Sequence, residues 1–177
     1  MVQDKKRRFA HAISFRIALP ALLTILLFVT ATFVIILPSF KENLLTKKRE
    51  MLREIVEIVY DVVVTYEEMA RSGEISHEHA QKEALRIIAS LRYGPAGKDY
   101  FWVNDMNALI VVHPYRPDLR GEAVPDYRYP TGKNLLEEFV RVVKAQGAGY
   151  VEYLFQWQDE PKKIVPKLSY VKGFAPW

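Results

Sequence analysis

An uncharged stretch near the N-terminus constrains the fold of this chain more than any other feature. Residues 17–40 form a run of 24 residues without a charged side chain, most of them Leu, Ile, Val, Ala or Phe. A helix that crosses the hydrocarbon core of a bilayer, about 30 Å thick, needs roughly 20 such residues. A cleaved signal peptide has a shorter apolar region and a small-residue cleavage site, and a core helix rarely runs this long without a polar face. The sequence therefore predicts an uncleaved transmembrane helix over residues 17–40.

The charge distribution separates a basic tail from a neutral domain. The chain carries 25 basic and 21 acidic residues, and its net charge is +4. Residues 1–16 hold five basic residues and one acidic residue, so residues 41–177 hold 20 of each. The tail can therefore favour anionic membrane lipid, whereas the neutral domain has no electrostatic reason to bind nucleic acid.

The positive charges that flank the predicted span indicate its orientation. Residues 1–16 and residues 41–53 each contain five Lys or Arg. The charges of the tail are closer together and less diluted by acidic residues, which favours a cytoplasmic N-terminus. We therefore predict a protein of the inner membrane, with a cytoplasmic tail at 1–16 and an extracytoplasmic domain at 41–177.

Catalytic, metal-binding and cofactor-binding patterns are missing from the sequence. Without cysteine the chain cannot form a disulfide, a zinc–thiolate site or a thiol nucleophile. His77 and His79 are two residues apart at a predicted helix start and make a poor metal pair. There is no phosphate-binding Gly-rich loop and no nucleophile elbow. We predict that the chain is not an enzyme and that it holds no cofactor or metal.

Hydrophobic periodicity predicts three helices after the span. Apolar residues at spacings of three and four continue from Ser39 towards Gly73, which predicts a helix of about 30 residues. Ser76 is a candidate N-cap for the second helix. The third covers residues 134–146, and its buried stripe is predicted to consist of Leu135, Leu136, Phe139, Val140 and Val143.

Two hairpins are predicted around the third helix. Residues 100–104 and 109–113 are rich in aromatic and β-branched residues and flank a turn at 105–108. Residues 150–157 and 164–171 form the second pair, with Val151, Tyr153, Phe155 and Trp157 on one face. Residues 114–130 are predicted to be a long functional loop. The predicted fold class is α+β, with helices packed on one face of an antiparallel sheet of at least four strands.

Several short motifs in a fixed order resemble those of a known sensor family. They occur at residues 99–105, 113–114, 119–121, 147–153 and 166–172, and are followed by Phe174 and by the pair at 176–177. Over residues 41–177 the chain is similar to the single-Cache (type 2) sensor domains of bacterial chemoreceptors and membrane-bound signalling proteins. Several motifs in the right order and spacing are a more specific signal than any one alone.

This resemblance implies a long helix followed by a PAS-like antiparallel sheet, with a small-ligand pocket on the sheet face opposite the helix. Similar domains often bind short organic acids such as acetate, propionate, pyruvate or lactate, and serve chemotaxis or signal transduction. Such receptors usually work as homodimers, here through the helix at 41–69. The family continues with a closing strand, a second span and an output module, so we expect the last strand to lie beyond residue 177. A chemoreceptor, a kinase and a cyclase output are all compatible with the sequence.

A small carboxylate needs charge-assisted donors inside a mostly apolar pocket, which selects the candidate ligand-binding residues. They are Tyr93, Tyr100, Trp102, Asn104, His113, Arg116, Tyr153, Lys167 and Tyr170. Lys167 and Arg116 are candidates to pair with the carboxylate, and the tyrosines could supply hydroxyl donors. Each type also has an ordinary structural role, since sheet tyrosines mostly pack and loop arginines are mostly at the surface.

Strand alternation shows which of these candidates lie on the same face of a strand, but it does not show which face of the sheet holds the pocket. Tyr100, Trp102 and Asn104 share one face of their strand, and Leu109, Val111 and His113 share one face of the next. On the last strand Lys167 and Ser169 share one face and Leu168 and Tyr170 the other. Either face of the sheet could hold the pocket.

The sequence also allows a second function from another class. The chain could be a single-span interaction or scaffold protein whose pocket is occupied or collapsed and binds no small molecule. Binding of a small carboxylate to the folded protein separates the two hypotheses.

Overall fold

A computed structural model describes residues 19–122 and 135–177 of the chain. The chain divides into two compact units, Met1–Lys48 and Arg49–Trp177. The predicted tail at 1–16, residues 17–18 of the predicted span, residues 123–130 of the predicted loop and the predicted helix start at Asn134 lie outside the described residues.

The apolar helix that the sequence predicts begins in the first unit. Leu19–Arg71 is the one helix among the described residues that is long and apolar enough to cross a membrane, by length and composition. It contains a π-helical turn at Thr32–Ile36. The hydroxyls of Thr24 and Thr32 donate to the carbonyl oxygens of Pro20 and Phe28, both at 2.8 Å. These internal hydrogen bonds satisfy the two hydroxyls without water, as a hydrocarbon environment requires.

The part of this helix after the π-helical turn, α1, spans Leu37–Arg71 and is slightly longer than the predicted 30 residues. It ends where Gly73 adopts a φ of +78°, the left-handed conformation that glycine adopts without a steric penalty. Helix α2 spans His77–Ser90, and the Ser76 side chain accepts a hydrogen bond from the backbone N–H of His79 at 3.2 Å. The predicted N-cap is therefore present.

The described strands form three antiparallel pairs. Their members are β1 (Arg92–Tyr93) with β2 (Asp99–Tyr100), β3 (Val103–Asn104) with β4 (Ile110–Val112), and β5 (Ala148–Trp157) with β6 (Glu160–Lys172). The α+β class with an antiparallel sheet is confirmed, but the strand predicted at 100–104 is divided. Tyr100 pairs with Arg92, whereas Val103 pairs with Val112, so the chain changes partner at Phe101–Trp102. The sequence analysis missed β1, because the turn residues that follow Tyr93 indicated only a break.

Helix α3 (Leu135–Gln146) packs on β5 and builds the core. Phe139 and Val140 lie against Val151, Tyr153 and Phe155, all of them buried. The helix can approach the hairpin closely because two positions of the hairpin segment are glycines without a side chain. A Cβ on Gly149 would lie 2.6 Å from Val142, and one on Gly173 would lie 2.5 Å from Val143. The buried stripe therefore includes Val142, whereas the predicted Val143 is only half-buried.

The long β5–β6 hairpin has a different partner on each face. The hydroxyl of Tyr150 donates to the Arg49 carbonyl oxygen at 2.8 Å, and Arg49 forms an ion pair with Glu152 at 3.3 Å. On the same face Lys172 pairs with Glu57 and lies 3.7 Å from the ring centroid of Tyr60. One face of the hairpin therefore meets α1, and the other meets α3. The prediction that the helices pack on one face of the sheet is wrong for this hairpin, because the core residues Val151, Tyr153 and Phe155 face α3 and the alternate residues face α1.

The last residues of the chain are also held on α1. The rings of Phe174 and Tyr60 meet at 5.5 Å, and those of Phe174 and Trp177 at 5.2 Å. The indole N–H of Trp177 donates to the Glu67 carboxylate at 2.6 Å, and His77 lies 3.6 Å from the same oxygen. Glu67 is only 9 % exposed, so this hydrogen bond satisfies a buried carboxylate.

Replacing Trp177 with Phe should therefore destabilise the domain. The change keeps an aromatic ring but removes the N–H that Glu67 accepts from, and a lost bond to a buried charged group costs about 1–3 kcal/mol. Urea unfolding of the whole chain in detergent micelles measures the free energy of unfolding. The control is Trp157→Phe, at a ring that is 37 % exposed, and an equal loss in both variants would contradict the role of the hydrogen bond.

Candidate ligand-binding pocket

An apolar cavity lies on the α3 side of the hairpin. Its apolar lining comes from Ile110, Leu119, Leu135, Leu136, Phe139 and Phe155, and its polar and aromatic lining from Tyr100, Trp102, His113 and Tyr153. The centre of a water molecule can reach about 20 Å³ of it, which is room for roughly one water. A ligand of more than a few atoms therefore requires the lining side chains to shift. Strand alternation did not show which face of the sheet holds the pocket. The cavity lies on the face of β5 opposite α1.

His113 places an unsatisfied polar atom at this cavity. The residue is 7 % exposed, and its Nδ1 has no hydrogen-bond partner among the residues that the structure describes. Its ring packs on Tyr100 at 4.8 Å and on Phe155 at 5.7 Å. Burial, reinforced by the positive charges of Lys167 and Arg116, lowers the pKa of His113 to about 4. The imidazole is therefore neutral at pH 7 and has an open hydrogen-bonding position.

The end of strand β4 explains why the His113 side chain lines the cavity. Strict alternation groups His113 with Leu109 and Val111, but the cavity is lined by His113 and Ile110, which are three residues apart. The strand stops at Val112. The backbone N–H of Arg116 then donates to the His113 carbonyl oxygen at 3.3 Å, which closes a turn. The predicted face is therefore wrong for this strand, because His113 belongs to the turn.

Lys167 brings an ammonium group beside the same aromatic residues. Its Nζ donates to the Tyr100 hydroxyl at 3.3 Å and lies 4.9 Å from the centroid of the Tyr100 ring. The Phe155 ring centroid is 5.7 Å away. Burial lowers the pKa of Lys167 to about 8, and the charge of Asp99 opposes that decrease. The group is therefore largely charged at pH 7 although it is partly desolvated, which strengthens its attraction for an anion.

Three further predicted residues line the cavity. Tyr100 is 8 % exposed, and burial raises the pKa of its hydroxyl far above the usual range, so it remains a donor. The Tyr153 hydroxyl shares a hydrogen bond of 2.9 Å with Ser169. Trp102 packs on Phe139 at 5.3 Å and forms part of the wall.

The other predicted residues lie outside the lining. Tyr93 packs on Phe101 at 5.1 Å, and burial raises the pKa of its hydroxyl to about 12. Asn104 accepts from the Trp102 indole at 3.3 Å and so supports the wall. Tyr170 packs on Tyr150 at 4.9 Å, on the face that meets α1, because it is one residue out of phase with Ser169.

Arg116 lies near His113 but is bound to other side chains. Its Nε and Nη2 donate to the Asp118 carboxylate at 2.9 and 2.7 Å. Its Nη1 lies 3.5 Å from Oε1 of Gln156. The guanidinium would have to leave Asp118, at least in part, before it could clamp a ligand carboxylate in a bidentate manner.

The structure also shows a buried amide pair that the sequence analysis missed. Gln156 is 1 % exposed and donates from Nε2 to the Gln158 carbonyl oxygen at 2.7 Å. Gln158, 6 % exposed, donates from Nε2 to Oδ1 of Asp99 at 3.1 Å. A register shift between Gln156 and Trp157 turns Trp157 outwards, so its predicted place beside Val151 and Phe155 is wrong. No periodic signal reveals such a bulge before the strand pairing is known.

A second cavity offers no comparable chemistry. It measures about 540 Å³, opens widely to solvent, and lies between Met106 and residues of α3 such as Arg141 and Lys144. No group of three His, Cys, Asp or Glu side chains within 19–122 and 135–177 could hold a metal ion. The enclosed cavity beside His113 is therefore the candidate site.

Helix-backed antiparallel strands with a small pocket beside His113 fit the class of α+β ligand-binding sensor modules. A model of the family described as Single Cache domain 2 matches residues 44–177, and the chain belongs to this family. It is thus a Cache sensor domain, a ligand-binding module of the kind found in chemoreceptors and sensor kinases.

Two characterised relatives show where such domains occur. The methyl-accepting chemotaxis protein McpP of Pseudomonas putida is 33% identical over 136 residues, which cover 76% of this chain and 24% of the relative. The sensor histidine kinase MctS of Rhizobium johnstonii is 28% identical over 139 residues, covering 78% and 29%. The chain therefore spans only about a quarter of the length of these relatives.

Solved structures share the fold closely. A periplasmic sensor domain of a chemotaxis protein is 39% identical with a TM-score of 0.69, and covers 75% of this chain and 90% of its own. A Cache chemosensory domain solved to explain carboxylic acid recognition is 34% identical with a TM-score of 0.70, covering 77% and 90%. A methyl-accepting chemotaxis protein from Vibrio parahaemolyticus, 16% identical with a TM-score of 0.63, has the same fold.

The buried His113 should make the domain sensitive to acid. Its pKa is about 4 in the folded protein against 6.5 for an unperturbed His, so the unfolded chain takes up the proton first. Stability is then fully present above pH 6.5 and is lost as the pH falls towards 4, by about 3 kcal/mol in total. Urea unfolding between pH 7.5 and 4 should show this loss in the wild type and a smaller one in His113→Asn. The exposed-site control His79→Asn should follow the wild type, and equal acid sensitivity in all three proteins would count against the burial of His113.

Proposed function

We propose that this chain is a membrane-anchored, extracytoplasmic sensor domain that binds a short-chain carboxylate for chemotaxis or signal transduction, and that it is not itself an enzyme. One observation carries the proposal. His113, whose Nδ1 has no hydrogen-bond partner among the described residues, lines a mostly apolar cavity, and the partly buried ammonium of Lys167 adjoins the cavity beside the same Tyr100 ring.

The electrostatics favour an anion over a neutral ligand. Lys167 is desolvated by the rings around it, so its attraction for a carboxylate is stronger than that of a surface lysine. The Tyr100 hydroxyl, now an acceptor from Lys167, can instead donate to a ligand oxygen. A carboxylate thus finds one charged and one neutral donor within the same few ångströms, which offsets the cost of its own desolvation.

The lining restricts the rest of the ligand. The aliphatic residues and Phe139 can surround a short apolar or lightly substituted chain. These lining residues carry no positive charge that could pair with a second carboxylate of the ligand. The cavity has to expand to admit a ligand, and small acids such as acetate, propionate, pyruvate and lactate require the least expansion. The similarity to a Cache domain solved for carboxylic acid recognition supports this class independently.

The N-terminal helix supports the proposed location. We place residues 1–16 in the cytoplasm against anionic lipid, residues 17–40 across the inner membrane, and the domain at 41–177 outside. The apolar helix and the similarity to a periplasmic sensor domain support this arrangement.

The exposed side of α1 supports the proposed homodimer. Met51 and Ile58 are 45 % and 66 % exposed and lie seven residues apart, the repeat that joins helices in coiled coils. A second copy of the 41–69 helix would cover them. A ligand with different affinities for two arrangements of that dimer would then shift their populations, which is how a signal arises.

One observation favours the alternative function, an interaction or scaffold protein without a small ligand. The cavity holds about one water as it stands, and a collapsed pocket would look the same. Ligand binding therefore provides the decisive test.

The first experiment measures thermal unfolding of the whole chain in detergent micelles with acetate, propionate, pyruvate or lactate. A ligand at about 100 times its Kd adds roughly 2.7 kcal/mol of stability, which raises the Tm of a domain of this size by several degrees. Lys167→Met should abolish the shift, because the ammonium that pairs with the carboxylate is lost while the apolar stem remains.

Two controls make this test specific. Lys163→Met removes a lysine of the same strand whose side chain is 54% exposed, and it should bind as the wild type does. Acetamide, the neutral counterpart of acetate, should give no shift. If no acid stabilises the folded wild-type chain, the carboxylate-sensor proposal is contradicted and the scaffold alternative is favoured.

The second experiment tests the topology with single cysteines, which the Cys-free sequence permits. Glu78→Cys, at an exposed position of α2, should react with a membrane-impermeant maleimide in spheroplasts. Gln3→Cys in the tail should react only after lysis. The reverse pattern would invert the orientation, and labelling of both sites before lysis would exclude a membrane-spanning helix.

A further inference from the structure

The contacts between the β5–β6 hairpin and α1 follow one direction along the helix. At the open end of the hairpin, Lys172 pairs with Glu57. Further along β5, Glu152 pairs with Arg49, which lies earlier in α1. Strand β5 continues beyond Glu152 to its end, over about 16 Å of strand. The closed end of the hairpin, residues 154–166, which we call the hairpin tip, therefore points towards the N-terminal end of α1.

In the proposed topology the membrane lies close to this end of α1, by chain length alone. The proposed span ends at residue 40, and Arg49 belongs to the same continuous helix. The residues between them rise by about 14 Å in a helix. This rise is similar to the about 16 Å of strand that follows Glu152 in β5. The hairpin tip therefore has the reach that contact with the membrane surface requires.

The hairpin tip exposes large apolar side chains. Leu154, Trp157 and Ile164 are all exposed. Leu154 pairs with Pro166 and Ile164 with Gln156, so Leu154 and Ile164 are diagonal neighbours on one face of the hairpin. The tip thus presents an aromatic ring and two aliphatic side chains to its surroundings.

The rest of the domain shows few such side chains. Among residues 49–122 and 135–177, the other large apolar side chains that are exposed are Met51, Ile58 and Met106. Met51 and Ile58 belong to the proposed dimer face, and Met106 lies by itself in the turn between β3 and β4. An exposed apolar cluster such as the hairpin tip marks a surface that contacts another molecule or a membrane.

Lysines accompany the apolar side chains of the tip. The Nζ of Lys163 lies 5.4 Å from the centroid of the Trp157 ring. Lys163 also pairs with Glu160 at 3.6 Å, an exposed ion pair of a kind that contributes little to stability. Tryptophan rings are enriched in the headgroup layer of membranes, where the ammonium of a neighbouring lysine can reach a lipid phosphate. The chemistry of the tip therefore fits a lipid surface.

We propose that the hairpin tip docks on the headgroup layer of the bilayer that the N-terminal helix spans, with Trp157 and Ile164 in the interface and Lys163 towards the lipid phosphates. The inference rests on the proposed membrane anchor and is independent of ligand binding. The domain is then held at the membrane in two places, by the helix and by the hairpin that also carries Lys167. A second copy of the chain could also cover an apolar patch, but chain length brings lipid within reach of the tip in every copy.

The test measures how close the tip lies to the lipid headgroups. The whole chain is placed, one copy per disc, in nanodiscs of phosphatidylethanolamine and phosphatidylglycerol, part of which carries a nitroxide on the headgroup. A fluorophore is attached to single cysteines in the Cys-free chain. Lys162→Cys reports on the hairpin tip and Asn43→Cys on the helix just after the span. Glu78→Cys reports on the start of α2, where the neighbouring His77 contacts Glu67 near the other end of α1.

The nitroxide should quench the label at 162 nearly as strongly as the label at 43, and should leave the label at 78 unquenched. Strong quenching at 43 without quenching at 162 would overturn the docking and leave the membrane anchor intact. Quenching at 162 without quenching at 43 would support the docking and contradict the proposed span. No quenching at any of the three positions would contradict both.

Two variants separate docking from proximity to the membrane. Trp157→Ser combined with Ile164→Ser removes the apolar groups of the tip and should lower the quenching at 162 about twofold or more, because the interface no longer retains the tip. Both positions are exposed, so the domain should stay folded, which circular dichroism checks. Ile164→Ser alone should lower the quenching less than the double variant.

The matched control is Met106→Ser, which removes an apolar side chain of similar exposure from another turn of the domain. It should leave the quenching at 162 unchanged. Unchanged quenching in the folded double variant, or an equal fall in Met106→Ser, would overturn the proposal. An unquenched tip that forms a disulfide between two copies of Ile164→Cys would identify a second copy as the occupant and would overturn it as well.

Discussion

The aromatic rings of Tyr100 and Phe155 exclude water from His113 and Lys167 together, and the chemistry of the pocket depends on this desolvation. It leaves the imidazole neutral, with an Nδ1 that has no partner among the described residues, and it leaves the ammonium charged but partly desolvated. The partly desolvated ammonium attracts a small anion more strongly than a surface lysine would. The rings can hold these positions because α3 packs on the same face of β5, through the close approach that Gly149 and Gly173 allow.

The β5–β6 hairpin connects this pocket with the helix on its other side. Strand β6 carries Lys167 towards the aromatic residues and Lys172, five residues later, towards Glu57 and Tyr60 of α1. Ten register pairs join this strand to β5, and the segment that follows it contacts α1 through Phe174 and Trp177. One hairpin therefore carries both the lysine beside the pocket and the lysine that meets α1.

The parts of the fold that were predictable from the sequence are those set by local patterns. The long α1, the Ser76 cap of α2, most of α3 and the second hairpin all follow from periodicity and from turn residues. The division of the segment 100–104 between two partners does not, because strand pairing is a non-local choice. Of the nine predicted site residues, Tyr100, Trp102, His113 and Tyr153 line the cavity and Lys167 adjoins it, whereas Tyr170 faces α1.

By itself the sequence determined a 24-residue uncharged segment, a neutral α+β domain after it, and the residue types that an anion pocket requires. Those features depend on composition and on short-range spacing, which are visible without coordinates. Only the tertiary structure decided which face of the hairpin holds the cavity, that His113 turns into it from a strand end, and that the register shift buries Gln156 and exposes Trp157. These outcomes depend on which segments pack against each other, and an alternating pattern is equally consistent with either face.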